Sequence, residues 1–176
     1  MSNRFFIADP HFGHAGIVRF TSKATGQPLR PWDTTEEMDE EMVKRWNATV
    51  GPLDKVYVLG DFVINRRCLP IAGRLNGQKT LVGGNHDTMR AEEYARYFKD
   101  QKGAVEYKGW ILTHVPVHPG QLGRWSANVH GHLHSKTVGH PRYLCVSAEQ
   151  TDYRPLPYEE VARRLAAQAE AADGQG

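Results

Sequence analysis

With 176 residues, 40% of them hydrophobic and 24% charged, the chain has an ordinary globular balance and enough length for one well-buried core. Its 22 Lys and Arg against 20 Asp and Glu leave a net charge of +2, too weak a field to hold nucleic acid except through a local patch. No apolar run is long enough to cross a membrane, and Met1-Ser2-Asn3-Arg4-Phe5-Phe6-Ile7 lacks a signal-peptide layout, so a cytoplasmic location is expected.

Taken in chain order, Arg4 to Ala8 reads as a first strand, and Ala15 to Phe20 as a short helix. Gly26, Pro28 and Pro31 make residues 21–33 a loop. Thr34 or Thr35 caps a helix reaching about Ala48. Thr34 and Glu37 form a capping-box pattern there, and Met38, Met42, Val43 and Trp46 give its apolar face. Lys55 to Leu59 is a buried strand, followed by a helix over residues 66–75, a strand over Lys79–Val82 and a helix over residues 91–99. Residues 104–108, 110–114, 126–131 and 142–147 read as strands without intervening helices. An amphipathic helix follows Pro157 to about Ala171, and the terminal residues 172–176 are expected to fray. The reading is one α/β domain over residues 1–176, with β-α units first and a more antiparallel set of strands second. Cys68 and Cys145 have no metal-type spacing and read as small hydrophobes in a reducing compartment.

Chemistry collects where these strands end. Asp9 and His11 follow the first strand, Gly60-Asp61 the second and Gly84-Asn85-His86-Asp87 the third. His114 closes the strand from Trp110, and Gly131-His132-Leu133-His134 closes the one from residue 126. Sites in open α/β sheets gather beyond the carboxyl ends of strands, so these loops can converge. Pairs spaced i, i+2 in extended backbone, such as Asp9 with His11 and His132 with His134, point two ligands to one side. Glycines at 60, 84 and 131 permit close backbone approach. Clustered His with Asp or Asn raises a metal reading before any other.

These motifs, in this order, resemble the five of the calcineurin-like metallophosphoesterases, over residues 5 to about 150. Asp9-Pro10-His11-Phe12-Gly13-His14 with Arg30-Pro31-Trp32 is similar to the small stand-alone bacterial and phage type of that superfamily. The resemblance implies a β-sandwich flanked by helices, with the active site at the carboxyl ends of strands. It implies that Asp9, His11, Asp61 and His134 hold one divalent metal. Asp61, Asn85, His114 and His132 would hold a second, with Asp61 shared. Such donors suit Mn, Fe, Zn, Co or Ni without choosing among them. The implied reaction is attack on a phosphate ester by a water activated between two metals. By resemblance His86 contacts the phosphate or leaving oxygen, stabilising charge or acting as general acid. Asp87 either orients His86 or caps the next helix.

Three further residues are substrate-contact candidates, each with a plainer alternative. His14 either meets substrate phosphate or lies on the surface, Arg30 either adds a positive contact or is solvated, and His118 either lines the site or is a loop residue. His130 reads as core and His140 as incidental. Phosphoprotein phosphatases of the superfamily carry Gly-Asp-x-x-Asp-Arg-Gly and Gly-Asn-His-Glu. Here Gly60-Asp61-Phe62-Val63-Ile64-Asn65-Arg66 and Asp87 depart from both, which disfavours that role. Short insertions leave no cap domain, and the reading leans to phosphodiesters or nucleotides, with a phosphomonoesterase as alternative. A non-catalytic protein-binding scaffold would be expected to have lost ligands, and a nuclease to carry a basic, aromatic-interleaved stretch. The sequence has neither mark. A homodimer is compatible with the pattern, although no apolar stretch compels one.

Overall fold

The computed structural model describes residues 2–22 and 25–174. β1 (Arg4–Ile7), β2 (Lys55–Val58), β3 (Gln78–Val82) and β4 (Asp100–Lys102) lie side by side, all parallel. Between β1 and β2 runs α1 (Thr35–Thr49), whose first turn is closed by the Thr34 hydroxyl accepting from the Glu37 amide at 3.1 Å. Its buried residues are the four predicted, Met38, Met42, Val43 and Trp46, packed on one face of the sheet with Phe5, Ile7, Val56, Val58 and Leu81. Burial of this kind contributes roughly 1.5–3 kcal/mol per large side chain.

Three predicted helices are shorter or tighter than expected. Arg66–Arg74 forms 3-10 turns, and Pro70 within it has no N–H to donate to an α-helical ladder. Of the helix expected over residues 91–99, only α2 (Ala91–Tyr94) forms. The Lys99 amide bonds to the Lys79 carbonyl at 2.8 Å, so the sheet edge captures the chain and β4 begins. Residues 15–20 likewise give only 3-10 turns at Ile17–Arg19. The described part of the 21–33 loop contains one isolated bridge, between Thr21 and Pro28; residues 23 and 24 lie outside the described residues.

The second sheet contains β5 (Val105–Tyr107), β6 (Trp110–Leu112), β7 (Ala127–His130) and β8 (Tyr143–Cys145), in that order. The expectation of a mostly antiparallel set is corrected here. Only β5 and β6 are antiparallel, joined by a two-residue turn at Lys108 (φ 48°) and Gly109 (φ 82°). β6, β7 and β8 are parallel. The connections over 113–126 and 131–142 are crossovers of about a dozen residues, the length a parallel connection requires. β9 (Leu156–Pro157) then pairs antiparallel with β1, completing a first sheet ordered β4-β3-β2-β1-β9.

The sheets share a core in which Phe6, Leu59 and Val82 pack with Trp110, Leu112, Val129 and Leu144. α3 (Tyr158–Asp173) joins it through Val161 and Leu165. α3 extends two residues beyond the expected Ala171, while Gln175 and Gly176 lie outside the described residues. The fold is therefore α/β, two parallel-rich sheets flanked by helices. An Ala8–Ser147 parallel bridge joins the chain beyond β1 to that beyond β8, bringing the carboxyl ends of both sheets together. No helix among the described residues is long and apolar enough to cross a membrane.

One buried charge gives the fold a pH dependence. Lys79 is 6% exposed, and its ammonium donates to the Leu75 and Gly77 carbonyls at 2.7 and 3.0 Å. Burial pushes its pKa down to about 8 from an ordinary 10.5. Between those values the unfolded chain binds more protons, so this group's contribution to stability rises with pH across that window. Denaturation at pH 7.5 and 10.5 should show the wild type gaining about 3 kcal/mol relative to Lys79→Met. Parallel pH profiles for the two proteins would contradict it.

Candidate metal centre

The loops leaving the strands are held in an uncommon backbone conformation. Among the described residues eight non-glycine positions have positive φ, and five are predicted ligands: Asp9 (53°), His11 (50°), Asp61 (53°), His132 (69°) and His134 (53°). Such positions cost energy, and the surroundings must enforce them. Close packing supplies the enforcement. A Cβ on Gly84 would stand 2.3 Å from Asp61 Oδ1, and one on Gly131 would stand 2.4 Å from Ala8 Cβ and 2.7 Å from Asp9 Oδ2. The loops therefore touch where only glycine fits.

Two clusters of Asp and His result, each capable of holding a metal ion. Ligand atoms of Asp9, His11 and His134 lie within 4.8 Å of one another, as do those of Asp61, His114 and His132. Asp61 Oδ2 stands between them, 3.7 Å from His11 Nε2 and 3.4 Å from His114 Nε2. Asn85 Oδ1 joins the second cluster at 2.9 Å from His114 Nε2 and 3.0 Å from His132 Nδ1. His86 is exposed, with Nε2 4.0 Å from Asp61 Oδ2 and its ring 5.7 Å from that of His11. Asp9, His11, Asp61 and His114 form a buried floor; Asn85, His86 and His132 form an open rim.

The donor set fits a cation. Asp9 Oδ1 and both ring nitrogens of His11 are buried without a hydrogen-bond partner, a costly arrangement in which an ion would satisfy the carboxylate oxygen and one of the two nitrogens. Asp9 Oδ2 is occupied, accepting from Ser147 Oγ at 2.6 Å and the His132 amide at 2.8 Å, which turns Oδ1 inward. His114 Nδ1 bonds to the Leu59 carbonyl at 2.8 Å, leaving Nε2 for the site. Burial and the nearby Arg30 hold His11 down at about 3, so its imidazole is neutral. Burial pushes Asp61 up, but His114 and the His86 amide outweigh it and bring the carboxyl to about 2. Burial raises Asp9, with Ser147 and neighbouring histidines opposing.

Several expected roles change. Arg30 is 1% exposed and neither solvated nor free for substrate. It donates to the Asp9 and Pro10 carbonyls, both at 2.6 Å, and to Glu149. Asp87 does not hold the His86 ring, nor does it cap α2. Its carboxylate accepts the amides of Asp61, Phe62 and Gly84 at 2.8, 3.1 and 2.9 Å, tying the β2 and β3 loops together. His14 is half-buried beside the site, its ring 5.7 Å from that of His11 and 5.8 Å from that of Phe20. His118 is exposed and caps its own turn, accepting from the Gly120 amide at 3.2 Å. His130 is wholly buried, bonded to the Gly131 carbonyl, and His140 accepts from the Arg142 amide.

Three supporting residues escape a reading of the sequence: Ser147, Glu149 and Asp39, which accepts the Gly13 amide at 2.9 Å. No motif marks them, because each acts through a contact between chain segments distant in sequence. Ser147 and Glu149 share an i, i+2 spacing beyond a strand, the same cue that exposed Asp9 and His11.

No family model matches the chain. An uncharacterized protein of Methanocaldococcus jannaschii is 27% identical over 178 residues, spanning 94% of this chain and 92% of its own. A protein of unknown function from Aquifex aeolicus shares the fold, with a TM-score of 0.66 and 22% identity over 93% of this chain and 99% of that one. A novel archaeal phosphodiesterase superposes with a TM-score of 0.47 and 17% identity over 82% of each chain, too loosely to carry its activity across.

Proposed function

We propose that the protein is a metal-dependent phosphoesterase of the calcineurin-like type, acting on small phosphodiesters or nucleotides. One observation carries this reading: Asp61 Oδ2 lies between two separate Asp/His clusters, where a single carboxylate can serve two cations. Asp9, His11, Asp61 and His134 would hold one ion; Asp61, Asn85, His114 and His132 the other. When bound, two such ions lower the pKa of a water and neutralise phosphoryl oxygens. Imidazole and carboxylate donors suit Mn, Fe, Zn, Co or Ni.

The remaining chemistry belongs to the chain. Ser147, Leu59 and Asp87 fix the first ligands, so little reorganisation accompanies reaction. His86, exposed over the clusters, hydrogen-bonds a phosphoryl oxygen or gives its proton to the leaving oxygen. The exposed rim of Asn85, His86 and His132 leaves room for a phosphate carrying two substituents, which is compatible with a diester.

The test removes metal with a chelator, returns single cations and follows bis(p-nitrophenyl) phosphate beside p-nitrophenyl phosphate. Activity should require added cation and be greater on the diester. A metal-loaded protein that cleaves neither would sink the enzymatic reading, and preference for the monoester would sink the diester assignment.

A further inference from the structure

The two clusters differ in what stands behind their histidines. In the second, His114 Nδ1 faces a neutral carbonyl, that of Leu59. In the first, His134 Nδ1 lies 3.1 Å from the carboxylate oxygen Glu149 Oε1. We propose that Glu149 is a positioning residue that sets the affinity of the Asp9–His11–His134 site independently of the second. This rests on the two-metal reading above.

Glu149 lies in the 3-10 turn Ala148–Gln150 beyond β8, its side chain 4% exposed. The same oxygen, Oε1, accepts from Arg30 Nε at 3.0 Å and lies 2.9 Å from Arg30 Nη2, while Oε2 is buried without a partner. Arg30 also grips the Asp9 and Pro10 carbonyls. One guanidinium–carboxylate pair thus connects the backbone presenting Asp9 to the ring of His134. A buried ion pair is a poor source of stability, since desolvation offsets much of its attraction. Its value here lies in what it orients.

A carboxylate at Nδ1 keeps a proton on that nitrogen, leaving Nε2 with the lone pair for an ion. It also makes the imidazole more electron-rich than a carbonyl would, strengthening its bond to a cation. His114 has only the weaker, neutral partner. The first site should therefore lose affinity when the charge of Glu149 is removed, and the second should not.

Glu149→Gln removes the charge and preserves the shape. Zinc titrations of metal-stripped wild type and variant by calorimetry should find two ions in each. In the variant one ion should bind about 10–100-fold more weakly and the other unchanged, the range typical of partners behind metal ligands. Unchanged affinities, or equal weakening of both ions, would overturn the proposal. A wild type that fails to take up two zinc ions overturns the two-metal reading instead. Should the variant fail to fold, long-range proton–nitrogen spectra of the zinc-loaded wild type decide. A proton on His134 Nδ1 supports the assignment, and a proton on Nε2 overturns it.

Discussion

Asp61→Ala is expected to lose both metal ions and to fall to the turnover of the metal-free protein. Every other predicted ligand contacts one cluster; Asp61 Oδ2 faces both, at 3.7 Å from His11 and 3.4 Å from His114. Without it the first cluster keeps one carboxylate, Asp9, and the second keeps only neutral donors. The substitution also frees the His86 amide, which donates to Asp61 Oδ1 at 2.9 Å, so the loop carrying His86 loses an anchor. Elemental analysis after desalting provides the readout. Retention of two ions per chain would show that Asp61 is not shared.

His86→Ala should behave differently, lowering turnover about 10²–10⁴-fold while both ions stay. The His86 side chain is 48% exposed and stands 4.0 Å from Asp61 Oδ2, beyond a hydrogen bond, so truncating it removes no support from either cluster. The size of the loss tells which of its two tasks dominates. A proton donor matters most for an ester with a basic leaving group, such as an alkoxide, and little for p-nitrophenolate. A uniform loss across leaving groups marks charge stabilisation instead. Unchanged kcat on all substrates would remove His86 from the reaction.

The site was more legible in the sequence than the sheet that carries half of it. Asp9 with His11 and His132 with His134 follow strands as the motifs indicate, and the glycines beside them mark close contacts a side chain would block. The geometric reason differs from the expected one: all four residues have positive φ rather than extended backbone, and His132 and His134 enter different clusters. The pairing of β6, β7 and β8 was not legible, because short apolar runs such as Trp110–Leu112 carry no record of strand direction. Only the length of the crossovers hints at parallel pairing. β4 and β9 were missed for a similar reason: Asp100-Gln101-Lys102 is polar, and Leu156-Pro157 is two residues long. Arg30 was misjudged because an arginine in a Gly/Pro-rich loop ordinarily faces solvent. Its burial depends on Glu149, 119 residues away. Local spacing exposes ligands, whereas the groups that hold ligands are set by tertiary contact.

The central claim is that two cations meet at Asp61, and anomalous diffraction from manganese-loaded crystals tests it most directly. The predicted result is two peaks, one among Asp9, His11 and His134, the other among Asn85, His114 and His132, both in contact with Asp61. A single peak, or two peaks of which one does not touch Asp61, would contradict it.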